Sequence, residues 1–380
     1  MTSKSIWQRQ NYFQLSSEQI ECLQEQGCTC NNWSDVKITA DFNTDNIYST
    51  HFSGQIRLAA FNKNITFFGG ISRPSGIYNA SLHNCIIGNN VFINNVKNYI
   101  ANYIIENNAI IENIDILALD SESSFGNGTK VNVVNESGQR EVAIYDRLTA
   151  QIAYILAFYR HKTNVINKLQ ELITEYSSSL SSTMGIVGNN ALVTNSHILK
   201  NVKIGAASVI EGANRIENVS INSNAQDSVY IGPGTIIEDS IISSGAKISD
   251  NTIITKCFVG QSSELSRQCS AENSLFFANC EALHSEACSI FAGPYTVTHH
   301  KSTLLIAGLF SFFNAGSGTN QSNHMYKLGP VHQGIVERGS KTGSDSYMLW
   351  PSRIGAFSGV IGKHLQNLDT SELPFSYIIE

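Results

Sequence analysis

Charge is scarce in this chain: Asp, Glu, Lys and Arg make up 15% of its 380 residues, where about a quarter is usual. Proline is rarer still, at 6 residues, against an average use of about 5%. Basic residues are not in excess, since the formal net charge is -6, so the chain lacks the electrostatic footprint of a nucleic-acid binder. Long apolar runs are missing too. IAYILAFY (152–159) and LLIAGLFSFF (304–313) fall well short of the roughly 20 residues of a membrane span, and no membrane role is expected. The first residues, MTSKSIWQRQNYFQL, hold no apolar core of a secretory signal. No CxxC pair joins Cys22, Cys28, Cys30, Cys85, Cys257, Cys269, Cys280 and Cys288, and Cys28-x-Cys30 alone is a poor metal signature. Reduced thiols and a cytoplasmic location are the expectation, with no metal site. Neither GxxxxGK[ST], HExxH nor GxSxG occurs. Residues 1–80 also lack the Gly-rich loop with Arg and Lys that would hold a nucleoside triphosphate.

What fills the space is isoleucine and asparagine, 44 and 38 residues respectively. Apolar residues recur every six positions at Ile87, Ile93, Tyr99, Ile105 and Ile111. The beat restarts at Val187, Val193 and Leu199, then shifts phase to Ile204, Ile210 and Ile216. It returns at Ile231, Ile237, Ile242, Ile248, Ile253, Val259 and Leu265. A period of six matches neither a helix nor a plain alternating strand. It matches a short strand, a turn and another short strand, with the aliphatic side chain always inward. Three such units close a triangular coil, and coils stack as parallel strands about 4.8 Å apart. Stacking builds ladders of Ile and Val, while Asn and Gly turn the corners because they tolerate positive φ. Proline would break the ladders. The sequence therefore predicts a mainly β, single-stranded, left-handed parallel β-helix.

The pattern resembles the hexapeptide-repeat, left-handed β-helix superfamily, which includes acyltransferases and the acetyltransferase parts of sugar-nucleotide enzymes. The repeats proper cover about 77–118 and 184–291. More closely, the whole chain resembles an uncharacterised bacterial family of hexapeptide proteins. The likeness lies in FSGQIRL (52–58), GIYNASLHNCIIG (76–88), YDRLTAQIAYILAFYRH (145–161), AGPYTVTHHKSTLLIAG (292–308), NAGSGTNQSNHMYKLGPVHQG (314–334) and LPFSYIIE (373–380). That family supplies no known reaction. Its members tend to continue beyond this point, which implies that the chain is a truncated product.

Five segments are expected. An N-terminal cap region (1–76) carries one short helix at 16–26, started by Ser16 and stopped by Gly27. A first β-helix segment (77–140) is followed by a helical insertion (141–183). Its stripes are Ile144, Leu148, Ile152, Ile155 and Tyr159, then Val165, Leu169, Leu172 and Tyr176, with a break at 161–164. Tyr145, Tyr154, Phe158 and Tyr159 either stack on a ligand or else cover the side of the β-helix or build a subunit interface, the latter being favoured. A second β-helix segment (184–291) leads to a Gly- and His-rich region (292–380), where Ile354–Gly359 suggests late coils.

Histidine is the natural general base near neutral pH, and His299, His300, His324 and His332 fall close together in the chain. Lys301, Asn314, Asn320, Asn323, Lys327 and Arg338 surround them as candidate substrate-binding groups. On a strand His299 and His300 would point to opposite faces, so one of them is expected at a given pocket. His83 is the other candidate base. His83-Asn84-Cys85-Ile86-Ile87-Gly88 resembles the His-Asp-Cys-x-Ile-Gly text of β-helical sugar acetyltransferases, with Asn84 departing from the Asp. His197, in Asn-Ser-His-Ile, is a weaker match. Lys301, Lys327, Arg338, Lys341 and Arg353 could hold a phosphate.

The resemblance implies acyl transfer from acetyl-CoA or another acyl-CoA to a sugar, sugar-nucleotide or amine acceptor, with His as general base. Two other readings stand beside it: a non-catalytic solenoid binding a sugar-phosphate or a protein partner, and a nucleotidyltransferase relative without its nucleotide domain. A homo-oligomer, with a trimer favoured, is implied by the architecture.

Overall fold

The structure is a computed structural model that describes residues 11–322 and 333–380. It is mainly β, a parallel β-solenoid, with three α-helices among the described residues. Two compact units share the chain: Met1–Ser123 with Ser182–Ala213, and Ser124–Ser181 with Asn214–Glu380.

In the first unit, coil lies on coil through parallel strands. One inward ladder runs Ile47, Ile77, Ile93, Ile111, Val193 and Ile210. A second runs Phe52, Leu82, Ile100, Leu117 and Leu199. The third runs Leu58, Ile87, Ile105, Val187 and Ile204. Every one of these side chains is buried. The inward residue of one turn is Ile100, not Tyr99, whose ring is exposed. The strict beat of six slips there because the strand register shifts at a corner between Tyr78 and Leu82. Corner asparagines at positive φ, Asn79, Asn95, Asn113 and Asn195, form a ladder of their own. Each Nδ2 donates to the next Oδ1, at 3.1, 2.7 and 3.1 Å.

The second unit repeats the design. Its ladders are Ile231, Ile248, Leu265 and Ala282; Ile216, Ile237, Ile254 and Ala271; and Ile221, Ile242, Val259, Phe276, Ala292, Phe310, Val336 and Ile354. Ile253, taken from the six-residue beat, points outward, and Ile254 holds the buried place.

Helix α1, Ser17–Glu25, starts from a capping box in which Ser16 and Gln19 satisfy each other's backbone groups. Gly27, at φ +79, stops it. The expected helical insertion, 141–183, is shorter at its start. Glu141–Ala143 is instead a strand paired antiparallel with Lys130–Asn132. Helix α2, Ala150–Phe158, begins only where the Thr149 side chain accepts from the Ile152 N–H. Helix α3, Thr163–Ser179, follows after a short break. Together with the hairpin, both helices pack on Ile241, Phe258, Leu275 and Phe291. These are the outward residues of the strands whose inward residues are Ile242, Val259, Phe276 and Ala292. That face is therefore buried on both sides, which is why its strands read as apolar doublets instead of alternating.

Asn279 sits at a corner with φ +58. Asn279→Gly is expected to keep the stability of the chain, because glycine adopts this backbone freely. Asn279→Val is expected to cost about 1–2 kcal/mol, the strain of a branched residue in the left-handed region. Urea unfolding of both variants checks this, and equal losses would refute the backbone account.

Candidate functional site

Three of the expected residues meet at one corner. His299, His300 and Lys301 follow the strand Val297–Thr298 and line a hollow of about 510 Å³ with Arg267, Leu283 and His284. Both histidines face it, contrary to the expectation for a strand, because the strand ends at Thr298 and the chain bends. Their ring centroids are 6.3 Å apart, near perpendicular. His299 Nε2 lies 2.5 Å from Glu281 Oε2, and both side chains are about half exposed. Arg267 and His284 escaped notice in the sequence. The coil spacing points to them, since Ser266 pairs with Leu283 and Ala282 with Thr298.

His83 and His197 belong to the first unit, so they are not part of that corner. Asn84 Oδ1 accepts from the Gln55 N–H at 2.9 Å, which turns its Nδ2 toward His83 Nε2 at 3.0 Å and Asn102 Oδ1 at 3.1 Å. His83 Nε2 is then an acceptor, and Nδ1 donates to Ser53 Oγ at 2.9 Å. Both ring nitrogens are engaged, and the lone pair a general base needs is already used. Cys85 is buried and its thiol is pushed up to about 12 by burial. Burial also raises Cys269 and Cys280 to about 12. None of these thiols is poised as a nucleophile. His197 Nδ1 stands 2.9 Å from Asp115 Oδ2, and Lys97 Nζ stands 2.7 Å from Asp115 Oδ1.

The remaining candidates scatter. Asn314 pairs with Val297 and Lys341 on one face, and Asn320 pairs with Tyr347 on another. Asn323, His324, Lys327 and His332 lie outside the described residues. Among the described residues no cluster of three or more His, Cys, Asp or Glu is placed to hold a metal, and no helix is long and apolar enough to cross a membrane.

Arg338 belongs to a larger feature. Beyond Phe291 the outward ladder continues through Leu309, Ile335 and Arg353, and a cleft of about 1140 Å³ opens where α2 no longer covers it. Phe291, Leu309 and Ile335 line the strand side of the cleft, and Tyr154, Phe158 and Tyr159 line the helix side. Among the described residues Lys162, Arg338 and Arg353 supply three cations against the single carboxylate of Glu337. Arg353 Nη2 and Nε lie 3.0 and 3.3 Å from Glu337 Oε1. Arg338 lies over the Phe357 ring, 5.8 Å from its centroid. The aromatic residues at 154, 158 and 159 sit over the β-solenoid side, with Tyr154 and Phe158 against Phe291, and border an open cleft. Two signals could have located it. The doublets Leu309-Phe310 and Ile335-Val336 extend past the reach of the helices, and cations appear next to them at 338 and 353.

The Lys97 ammonium and then His197 hold the Asp115 carboxyl below its usual range, against a smaller opposing effect of burial. A lowered carboxylate stabilises the fold above the unfolded value of about 4, and that contribution is lost as pH falls through the folded value. Lys97→Met is expected to return the Asp115 titration toward the ordinary range, read by carbonyl-carbon NMR. An unchanged titration midpoint would refute the pairing.

Comparison with known proteins covers almost the whole chain. A protein of Treponema pallidum (strain Nichols), described as "Uncharacterized protein", is 25% identical over 378 residues, covering 96% of this chain and 52% of its own length. The chain thus spans about half the length of that relative. Residues 12–380 match one family model, and the chain belongs to that family, the Domain of unknown function (DUF4954).

Proposed function

We propose that the protein binds a small phosphate-bearing molecule with an apolar or aromatic body in the cleft beside α2. One observation carries this reading: an apolar and aromatic lining ends in three cations, Lys162, Arg338 and Arg353. Guanidinium groups suit phosphate because their planar forks offer several donors at once. Glu337 occupies one edge of Arg353 and fixes its direction, leaving other donors for a ligand. The stacking of Arg338 on Phe357 holds the second guanidinium in the same way. The volume, about 1140 Å³, is that of a pocket for a small organic molecule. Among the described residues no histidine lines the cleft, and the reading put forward is binding.

Thermal unfolding in p-nitrophenyl phosphate or octyl phosphate tests the reading. Ligand at 100 times its Kd is expected to add about 2.7 kcal/mol of stability. Arg338→Met and Arg353→Met are each expected to weaken binding roughly tenfold or more, the loss of one charge-assisted hydrogen bond. No stabilisation by either phosphate would overturn it.

A second reading, acyl transfer, draws support from the corner hollow. A carboxylate 2.5 Å from His299 Nε2 is the orienting contact a general base uses, and it leaves Nδ1 as the atom to take a proton from an acceptor hydroxyl or amine. Release of free CoA from acetyl-CoA in the presence of glucosamine checks it, with activity expected to vanish in His299→Ala. No release above background, or full activity in His299→Ala, would remove this reading.

A further inference from the structure

A second hollow, of about 510 Å³, lies under the start of α2. Ala150, Gln151 and Pro294 line both it and the cleft, so the two spaces adjoin. Their chemistry differs sharply. The cleft is apolar with a cationic end, whereas the hollow gathers amides and hydroxyls, Asn222, Asn224, Ser243, Ser244, Gln261 and Gln151, beside one carboxylate and one guanidinium, Asp146 and Arg147. We infer that this hollow is a subsite for a neutral, hydroxyl-rich group, a pyranose ring, whose aglycone lies in the cleft.

The solenoid itself places these residues together. Asn222, Ser243 and Gly260 each follow an inward residue, Ile221, Ile242 and Val259, by one position. Ser244 and Gln261 follow by two, so successive coils present the same kind of group at the same corner. In the next coils the corner becomes Ala278 and then Gly293-Pro294, and the polar strip ends where the cleft begins.

Amides and hydroxyls both donate and accept, as sugar hydroxyls do, and the Arg147 guanidinium beside them is already stacked on the Tyr176 ring, 5.1 Å from its centroid. Gln261 Nε2 reaches Ser244 Oγ at only 3.5 Å, a long contact that a better partner can replace. The Asn222 Nδ2 atom is shut off from solvent with no hydrogen-bond partner among the described residues. Unmet donors of this kind are costly. Asp146 lines the hollow with one oxygen engaged: Oδ1 accepts from the Tyr176 hydroxyl at 2.7 Å. Its backbone N–H is anchored on Asn127 Oδ1 at 2.8 Å. Phe258 and Phe277, with centroids 5.5 Å apart, also border the space and suit the C–H face of a sugar ring.

This subsite rests on the cleft reading for the aglycone, and one titration series separates the two. The full chain is titrated with p-nitrophenol, p-nitrophenyl phosphate, and the p-nitrophenyl glycosides of glucose, galactose, mannose and N-acetylglucosamine. At least one glycoside is expected to bind tenfold or more tightly than p-nitrophenol. Gln261→Ala with Ser244→Ala is expected to abolish that advantage while leaving the affinity for p-nitrophenyl phosphate unchanged, and Arg353→Met to do the reverse. If p-nitrophenyl phosphate binds but no glycoside surpasses p-nitrophenol, the subsite is wrong and the cleft stands. A glycoside preference that depends on Gln261 and Ser244, without any phosphate binding, keeps the subsite and removes the cleft reading. Binding of none of them overturns both.

Discussion

Everything in this molecule depends on one constraint: each coil must bring the backbone back into hydrogen-bonding register with the coil before it. An inward side chain has to land on an inward side chain, as Ile237 does on Ile254. A slip of one residue would turn a whole strand inside out. The corners carry the burden of meeting that condition. Left-handed backbone at asparagines such as Asn90, Asn108 and Asn190 turns the chain within one residue, and the side-chain amides then bond from coil to coil. Isoleucine and asparagine thus do complementary work, one holding the inside and the other the edges. Charge and proline have few places to stand in such a design.

A solenoid built this way offers flat, repetitive faces, broken at corners such as the His299 hollow. The larger cleft requires something that does not repeat. Here that is the segment 124–181, which packs in the second unit against the outward ladder Ile241, Phe258, Leu275 and Phe291. Its apolar side meets a strand face that is apolar on both sides, and the burial of Ala153, Leu156 and Ile173 fixes the helices there. The helices are shorter than the ladder they cover. Leu309 and Ile335 extend beyond them, and the cleft is that mismatch in length. The same packing closes the polar hollow at the other end of α2, where Gln151 faces Ser244 and Gln261 across the gap.

The fold was readable from the sequence because the coil repeat is local: inward positions such as Ile87, Ile93 and Ile105 fall within a few residues of each other. The phase was less readable. Tyr99 and Ile253 fit a count of six, but an apolar neighbour, Ile100 or Ile254, takes the inward place when a corner absorbs an extra residue. The helical insertion was visible from its stripes. Its start was not, since Ile144 and Leu148 fit a helix and yet belong to the hairpin side of the packing. The sites were hardest to read. The His299 corner draws Arg267 and His284 from coils one and two turns earlier, and the cleft joins Tyr154 to Arg353, nearly two hundred positions apart in a chain of 380. No motif spans such distances. The coil spacing around His299, the change in strand text from alternating to doublet and the cations that follow it carry what trace of them there is.

Corner chemistry changes along the chain, and where it changes bears on function. In the first unit the left-handed corners are mostly asparagine, which accepts that backbone at small cost. In the later coils of the second unit the corner residues include Tyr295, Phe312 and Phe357, at φ +60, +46 and +54. Bulky rings in this region are strained, and these three are also well exposed, at 54, 58 and 40%. Neither strain nor exposed aromatic surface helps the chain to fold. Each of the three directly follows a residue of the cleft or sits beside one: Pro294, Ser311 and Ala356. The Phe357 ring also fills the space over Gly339, where any Cβ would collide with it, and it carries the Arg338 guanidinium. Backbone strain that persists without a folding benefit tends to gather at binding sites. On that ground the aromatic corners and the cationic end of the cleft form one arrangement, in which the Phe357 ring holds the arginine that a bound anion would meet.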